Sequence, residues 1–238
     1  MVIKSRAIGV EDKEVRRHAI LDAAEALFLR HPARIANVSE VADAAGLGKG
    51  TVYLYFPSKE EMLLSLHERH VERFFHALIA TISADKVRYE DVLEVTHTHL
   101  VRVPGYLALT SRCMAMMDRD IPTDVALAFK MRVGAWLATA GAGLERHFPT
   151  LAPGDGVTLL QHSYGLIVGL WQLLHPIERF GKAMQRADLR LFNRDYEKEL
   201  DLALYALWIR WVEGEPRRRS APPAKDKPAS ARSKGSRK

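Results

Sequence analysis

The chain has 238 residues, enough for one large domain or two small ones, and its apolar fraction of 47% excludes a wholly disordered protein. The net charge is +6, but residues 215–238 hold nine Lys and Arg against two acidic residues, so the tail carries +7 and the remainder a net −1. A basic field over the whole body is therefore excluded, and any affinity for nucleic acid must come from local clusters.

The composition also indicates a compartment. The single cysteine, Cys113, excludes an internal disulfide and favours a reducing environment. Charged residues are scattered through residues 1–13, where the apolar region of a signal peptide would lie, and the longest apolar run, 164–174, is too short to cross a bilayer. We therefore expect a cytoplasmic protein with no membrane partner. Residues 215–238 are rich in Pro, Ser and charge, which predicts a disordered basic tail.

The elements in chain order are predicted to be helices, because no segment alternates with period two and several repeat apolar residues at intervals of three and four. Pro32 ends the first helix and Gly46 the second, Asn37 is a suitable N-cap, and Ser58 with Glu61 forms a capping-box pattern. The predicted all-α fold has helices over residues 12–30, 38–45, 49–55, 59–82, 87–101, 106–117, 123–147, 157–174 and 195–212, with an irregular stretch at 176–194.

Residues 38–56 predict a helix-turn-helix. Two short helices flank a tight turn at Gly46, and Val52 is spaced to face inward against the first of them. Lys49 and Tyr53 lie four residues apart and share the free face of the second helix. A helix of this size fits the major groove of DNA. The pattern therefore predicts a DNA-reading element.

The run from Arg16 to Leu64 resembles the N-terminal DNA-binding domain of TetR-family regulators, most strongly from Val41 to Glu60, where the pattern Tyr-x-Tyr-Phe-Pro-Ser-Lys is highly specific. The resemblance implies a three-helix domain at 1–60 and a larger helical ligand-binding and dimerisation domain at 61–214, ahead of the tail at 215–238. It also implies a homodimer on a near-palindromic double-stranded DNA operator, released when a partly apolar small-molecule effector binds.

The same resemblance assigns candidate DNA contacts. Phosphate contacts would come from Ser39, Lys49, Thr51, Tyr53, Tyr55 and Lys59, whereas Gly50, Tyr53 and Leu54 would lie nearest to base edges. The sequence departs from the family pattern at three places. Gly48 replaces a common serine N-cap, residues 31–37 lack the usual glycine, and Leu54 replaces a polar or aromatic residue. The base contact of Leu54 is therefore expected to be apolar, for example with a thymine methyl group.

For residues 65–214 the resemblance implies a ligand cavity and a two-fold interface built from the last two long helices. Methionine and aromatic side chains suit a cavity wall, although on helices they also serve as ordinary core. The candidate cavity residues are Phe74, Phe75, Met114, Met116, Met117, Trp136, His162, Tyr164 and Trp171. The candidate interface residues, apolar and at helical spacing, are Leu166, Leu170, Leu200, Leu204, Leu207 and Trp208.

No catalytic, metal or cofactor site is predicted. His67 and His70 lie three residues apart on one helix, but no carboxylate or cysteine set completes a tetrahedral site. Ser163 lies in the middle of a helix without the strand-turn-helix elbow of a nucleophile, and Cys113 is expected to fill the core. The preferred hypothesis is a ligand-responsive repressor. The alternatives are a small-molecule-binding or catalytic protein with a vestigial helix-turn-helix, and an architectural protein that coats DNA through its tail.

Overall fold

The computed structural model describes residues 2–32, 34–175 and 186–213, and the regular structure within these ranges is entirely helical. The α-helices are α1 (Val2–Arg30), α2 (Val38–Ala45), α3 (Lys49–Tyr55), α4 (Lys59–Thr81), α5 (Tyr89–Thr96), α6 (Tyr106–Met117), α7 (Thr123–His147), α8 (Asp155–Leu174) and α9 (Tyr196–Val212). A π turn, His97–Val101, extends α5, and a 3₁₀ turn, Ala187–Phe192, precedes α9. The predicted all-α fold is confirmed.

Most predicted helix limits agree with the structure, because the helices begin and end at the caps and helix-breaking residues used for the prediction. The first helix is longer than predicted, because it begins at Val2 instead of residue 12. The predicted helix 87–101 is divided, because the last turn after α5 closes by π-type hydrogen bonds. The predicted tail at 215–238 lies outside the described residues, as do residues 176–185 of the irregular stretch.

Three predicted caps form around the two short helices. The Asn37 side chain accepts a hydrogen bond from the Glu40 backbone N–H (3.0 Å), and the Glu40 carboxylate accepts one from the Asn37 N–H (2.8 Å). Gly46 ends α2 in the left-handed region with φ of 65°, which only glycine adopts without strain. Ser58 Oγ accepts a hydrogen bond from the Glu61 N–H at 3.1 Å. The second bond of the capping box differs, because the Glu61 carboxylate accepts from the Ser58 hydroxyl and not from the Ser58 backbone N–H. These caps hold the helix-turn-helix between two fixed ends.

Two apolar cores form, and α4 belongs to both. The first core joins α1, α2, α3 and the first half of α4, and α6 and α7 add side chains to it; Ile20, Val41 and Val52 are fully buried there. The second core joins the later half of α4 with α5, α7, α8 and α9, around Leu78 and Leu144. The division between cores therefore falls inside α4, whereas the domain limit at residue 60 stays a prediction.

Ionic contacts of two buried residues of α4 join this helix to α1. Arg69 is 7% exposed and donates to Asp22 and Glu25, at 2.6 Å in each case. His70, on the same helix, lies 2.8 Å from the second Glu25 oxygen. A second junction lies nearby, because the Arg112 guanidinium of α6 donates twice to the carbonyl oxygen of Pro32, at 2.7 and 3.0 Å. The helix-turn-helix end of the chain is thus attached to α4 and α6 by directional contacts.

The interface prediction for α9 needs a correction. Leu200, Leu204 and Trp208 are 0%, 2% and 3% exposed within one chain, and the Trp208 indole N–H donates to Ser163 Oγ at 3.0 Å. These three side chains pack against α8 in the chain's own second core, so they are not free to contact a partner. Leu166, Leu170 and Leu207 are half-buried against the same core.

Candidate nucleic-acid interface and ligand cavity

Helix α3 is anchored by its inner face. Val52 is fully buried and Phe56, which ends the helix, is 2% exposed, so both pack in the first core. The guanidinium of Arg17 lies 5.4 Å from the centre of the Phe56 ring, which joins the end of α3 to α1. With one side held in this way, the opposite side of α3 is left to solvent.

The outer face of α3 collects four of the predicted DNA contacts. Lys49, Gly50, Tyr53 and Leu54 are all exposed, Leu54 to 83%. Lys49 Nζ lies 5.9 Å from the centre of the Tyr53 ring, so a cation and a phenol hydroxyl share this face. A Cβ atom added at Gly50 would meet nothing within 4 Å. Packing within the chain therefore does not require a glycine at this position.

The other predicted contacts surround this face and are less exposed. Ser39, Thr51, Tyr55 and Lys59 are half-buried, and Tyr55 packs partly against the first core. Lys59 Nζ lies 3.6 Å from a Glu60 carboxylate oxygen, which offsets part of its charge. Contact of these eight residues with DNA remains a prediction.

The segment before α2, residues 31–37, lacks the glycine of the family pattern and is held by an ion pair. Arg34 forms a two-pronged ion pair with Glu40, at 2.8 and 2.6 Å. Hydrogen bonds from Arg34 and from the Asn37 backbone lower the pKa of Glu40 to about 2. At the start of α3, Gly48 makes no side-chain capping bond, as its lack of a side chain predicts.

A cavity of about 450 Å³ lies among α4, α5, α6, α7, α8 and α9, within the size range of small-molecule sites. Its walls include the predicted residues Phe74, Phe75, Met114, Met117 and Tyr164. Further wall residues, which the sequence did not indicate, include His67, Tyr89, Val92, Thr96, Tyr106, Phe129, Val133, Leu160, Gln161, Ser163, Leu204 and Trp208.

The cavity prediction is corrected at four residues. Trp136 stacks behind Phe75, with ring centres 5.9 Å apart. His162 is exposed and faces the Trp211 ring, Trp171 stacks on His175 at 4.3 Å, and Met116 packs in the first core. Helical spacing does not separate these residues from true wall residues, because that distinction depends on which neighbouring helix covers them.

His67 is the principal wall residue that sequence reasoning missed. It precedes Val71, Phe74 and Leu78 on one apolar stripe of α4, and a histidine at the start of such a stripe was the available signal. Burial lowers the pKa of His67 to about 3, so the ring is neutral at pH 7. His67 and His70 do not form a shared metal site, because His70 contacts Glu25 whereas His67 lines the cavity.

The cavity interior carries no charge among the described residues. Burial raises the pKa of the Tyr89 hydroxyl to about 12 and that of the Tyr106 hydroxyl well above its usual value. Burial also raises the pKa of the Cys113 thiol to about 12, which makes it a poor nucleophile and supports its expected role as core filler. The two charged wall residues, Lys130 and Asp118, are both exposed and therefore lie at the rim.

The structure presents an exposed helix from a helix-turn-helix, next to a helical body that contains an apolar cavity, which is the architecture of a class of helix-turn-helix regulators. The sequence model for bacterial regulatory proteins of the TetR family matches residues 20–66, and that for the tetracyclin repressor-like C-terminal domain matches residues 68–209. The chain belongs to the TetR family. This family consists of transcriptional regulators and not of enzymes, which agrees with the expected lack of catalysis.

Two curated relatives each match less than half of the chain. The chain is 28% identical over 96 residues to the fatty acid metabolism regulator protein of Bacillus subtilis, covering 40% of this chain and 50% of that protein. It is 32% identical over 90 residues to the transcriptional repressor KstR2 of Mycobacterium tuberculosis, covering 38% of this chain and 40% of that protein. The chain thus spans half or less of the length of these relatives.

A solved structure extends the likeness over most of the chain. The fatty acid degradation regulator FadR of Bacillus halodurans superposes with a TM-score of 0.52 and 21% identity, covering 79% of this chain and 97% of that one. At this identity the match concerns the fold alone. Within the described ranges, no helix combines the length and apolarity needed to cross a membrane.

Proposed function

We propose that this chain is a homodimeric, sequence-specific DNA-binding repressor that leaves its operator when a small molecule fills the cavity. The observation that carries the proposal is α4, a single helix that lines the cavity through His67, Phe74 and Phe75 and is ion-paired to α1 through Arg69. One rigid element thus contacts both the candidate ligand site and the DNA-binding end. Relatives named as repressors support the proposed sign of regulation.

The outer face of α3 would read DNA in the major groove. Lys49 and Tyr53 supply a cation and a hydroxyl for phosphates, and Leu54 supplies an apolar tip for a thymine methyl group. Gly50 would let the sugar-phosphate backbone or a base edge approach the helix closely. Such a protein would act where the chromosome is, in the cytoplasm.

The dimer would form through the outer faces of α8 and α9, not through the buried faces that the apolar spacing suggested. Leu202 and Tyr205 on α9 are 66% and 55% exposed. Gly165 and Gly169 on α8 are exposed, and added Cβ atoms there would meet nothing within 4 Å, so a second helix can approach closely. Two-fold packing of these faces would set two α3 helices about one DNA turn apart, roughly 34–36 Å.

The α1–α4 ion pairs would couple the two sites. A ligand that binds one position of α4 more tightly shifts the population toward that position, and Arg69 and His70 would carry the shift to α1. Coupling of this kind is typically about 1–3 kcal/mol, enough to weaken operator binding about five- to 150-fold. The proposed domains are 1–60 for DNA and 61–214 for ligand and dimer.

The test is fluorescence anisotropy on the protein's own promoter DNA and on a random duplex at the same salt. We expect tighter binding to the promoter than to the random duplex, and clearly weaker binding to the promoter in a Lys49→Ala, Tyr53→Ala variant. Lys86→Ala is the matched control, because it removes the same charge from the exposed segment between α4 and α5. Equal binding of the wild type to both duplexes would contradict the proposal.

A further inference from the structure

His67 is buried, polar and without a partner. Its side chain is 4% exposed, and neither ring nitrogen has a hydrogen-bond partner among the described residues. Buried polar groups in folded proteins are almost always paired, because losing water without replacement is unfavourable. The residue lines the cavity, so a molecule bound there is a candidate for the missing hydrogen-bond partner.

Aromatic neighbours hold the His67 ring in place. Tyr106 stacks on it with ring centres 5.7 Å apart and planes 5° apart, and Phe129 approaches at the same distance with a tilt of 56°. Tyr106 therefore lies parallel to the imidazole and offset from it. Both ring nitrogens are buried, so a molecule in the cavity would have to reach them at the ring edge.

A second polar atom supports the same conclusion. The Tyr89 hydroxyl is also buried with no hydrogen-bond partner in the part of the chain that the structure describes, and Tyr89 lines the same cavity. The Tyr106 and Tyr164 hydroxyls lie 3.4 Å apart, and both residues line the cavity. The wall therefore offers neutral hydrogen-bonding groups within an otherwise apolar surface.

The distribution of charge disfavours an anionic group beside His67. Lys130 and Asp118 are the charged wall residues among those described, and both are exposed. A carboxylate placed beside His67 would lose its hydration and find no buried cation in the wall. A neutral imidazole offers one N–H donor and one lone pair, which suits a hydroxyl or a carbonyl.

We propose that the cavity takes an uncharged, largely apolar molecule whose hydroxyl or carbonyl group hydrogen-bonds to the buried His67 ring. This assignment rests on the proposed function, since it names the chemical class of the effector. His67 would act as a specificity-determining residue, and the phenylalanine and methionine wall would contribute most of the binding energy.

Three probes of similar size and different polarity test the assignment: 2-naphthol, naphthalene and 2-naphthoate. Their binding to the full chain without DNA is measured by equilibrium dialysis at pH 7.5, where 2-naphthol is neutral and 2-naphthoate is charged. We expect 2-naphthol to bind about two- to tenfold more tightly than naphthalene, the range of one net hydrogen bond, and 2-naphthoate to bind most weakly.

Variants assign the preference to His67. His67→Phe should lose the preference for 2-naphthol over naphthalene, whereas His67→Gln, which keeps a donor and an acceptor, should retain it in part. His162→Phe is the matched control, since it makes the same change at an exposed position of α8 outside the cavity wall. A preference for 2-naphthoate, absence of binding by all three probes, or an unchanged preference in His67→Phe would overturn the assignment.

The wild-type order of affinities needs no variant, so poor folding of His67→Phe leaves the test intact. A separate measurement adds 2-naphthol to the complex with promoter DNA. If 2-naphthol binds through His67 and does not weaken DNA binding, the cavity assignment stands and the proposed release fails. If DNA is released equally well from His67→Phe, the assignment fails and the proposed function stands.

Discussion

Gly50 and Gly134 have similar surroundings in the folded chain. A comparison of the two therefore separates an effect on DNA binding from an effect on folding. Both lie within helices, both are exposed, and a Cβ atom at either would meet nothing within 4 Å. Neither is needed for the conformation of its helix, because neither has a positive φ. If Gly50 has a role, a partner outside the chain imposes it.

We therefore predict that replacement by alanine has the same effect on stability at both positions but a different effect on DNA binding. Gly50→Ala and Gly134→Ala should each leave the stability unchanged or raise it by up to about 1 kcal/mol, because alanine is the better helix former. Only Gly50→Ala should weaken binding to promoter DNA, by steric exclusion at the interface. Thermal unfolding and anisotropy measure the two effects. Full DNA affinity in Gly50→Ala would remove Gly50 from the proposed contacts.

Among the elements, α4 makes the largest contribution to joining the two parts of the fold. Its side chains pack in both cores, and Arg69 and His70 form ion pairs with α1. The hydrogen bond from His70 is the main cause that lowers the pKa of Glu25, and the nearby charges of His70, Arg69 and Arg73 act in the same direction. Glu25 is thus ionised more readily in the folded chain than in the unfolded chain. Its stabilisation is complete above the unfolded pKa and is lost as the pH falls through the folded value.

Glu25→Gln should lower the free energy of unfolding at pH 7 by about 1–3 kcal/mol, because it removes a charged partner from the buried Arg69. The difference from wild type should shrink below about pH 4.5, where the carboxylate of the unfolded chain becomes protonated. Urea unfolding at several pH values measures this. Asp22→Asn is the comparison, with a smaller expected effect because Asp22 is 68% exposed. A difference that stays constant down to pH 3 would contradict the role given to ionised Glu25.

The elements themselves were largely predictable. Helix ends depend on Pro32, Asn37, Gly46 and similar residues within a few positions, so a local pattern suffices. The split of α5 by the π turn was not predictable, because nothing in the spacing at residues 97–101 distinguishes a π turn from a regular one. The α1–α4 ion pairs join residues more than forty positions apart, beyond the reach of any local pattern.

At the scale of the whole molecule, the proposed dimer depends on the exposed faces of α8 and α9. Leu202→Asp should place a charge in the two-fold interface, convert the dimer to a monomer and thereby weaken operator binding. Light scattering after size-exclusion chromatography measures the mass. Leu127→Asp is the matched control, because Leu127 is 56% exposed but lies on α7. A dimer that survives Leu202→Asp and is lost in Leu127→Asp would move the interface to α7.

The sequence alone determined the all-α fold and the helix-turn-helix at residues 38–56, since these follow from spacing and caps along a short stretch of chain. Only the tertiary structure decided which apolar face of α9 is buried, because α9 carries both Leu204 inside and Leu202 outside. It likewise decided that His67 enters the cavity wall while Trp136 lies behind Phe75. Burial of a side chain is decided by the helices packed over it, and those helices come from distant parts of the sequence.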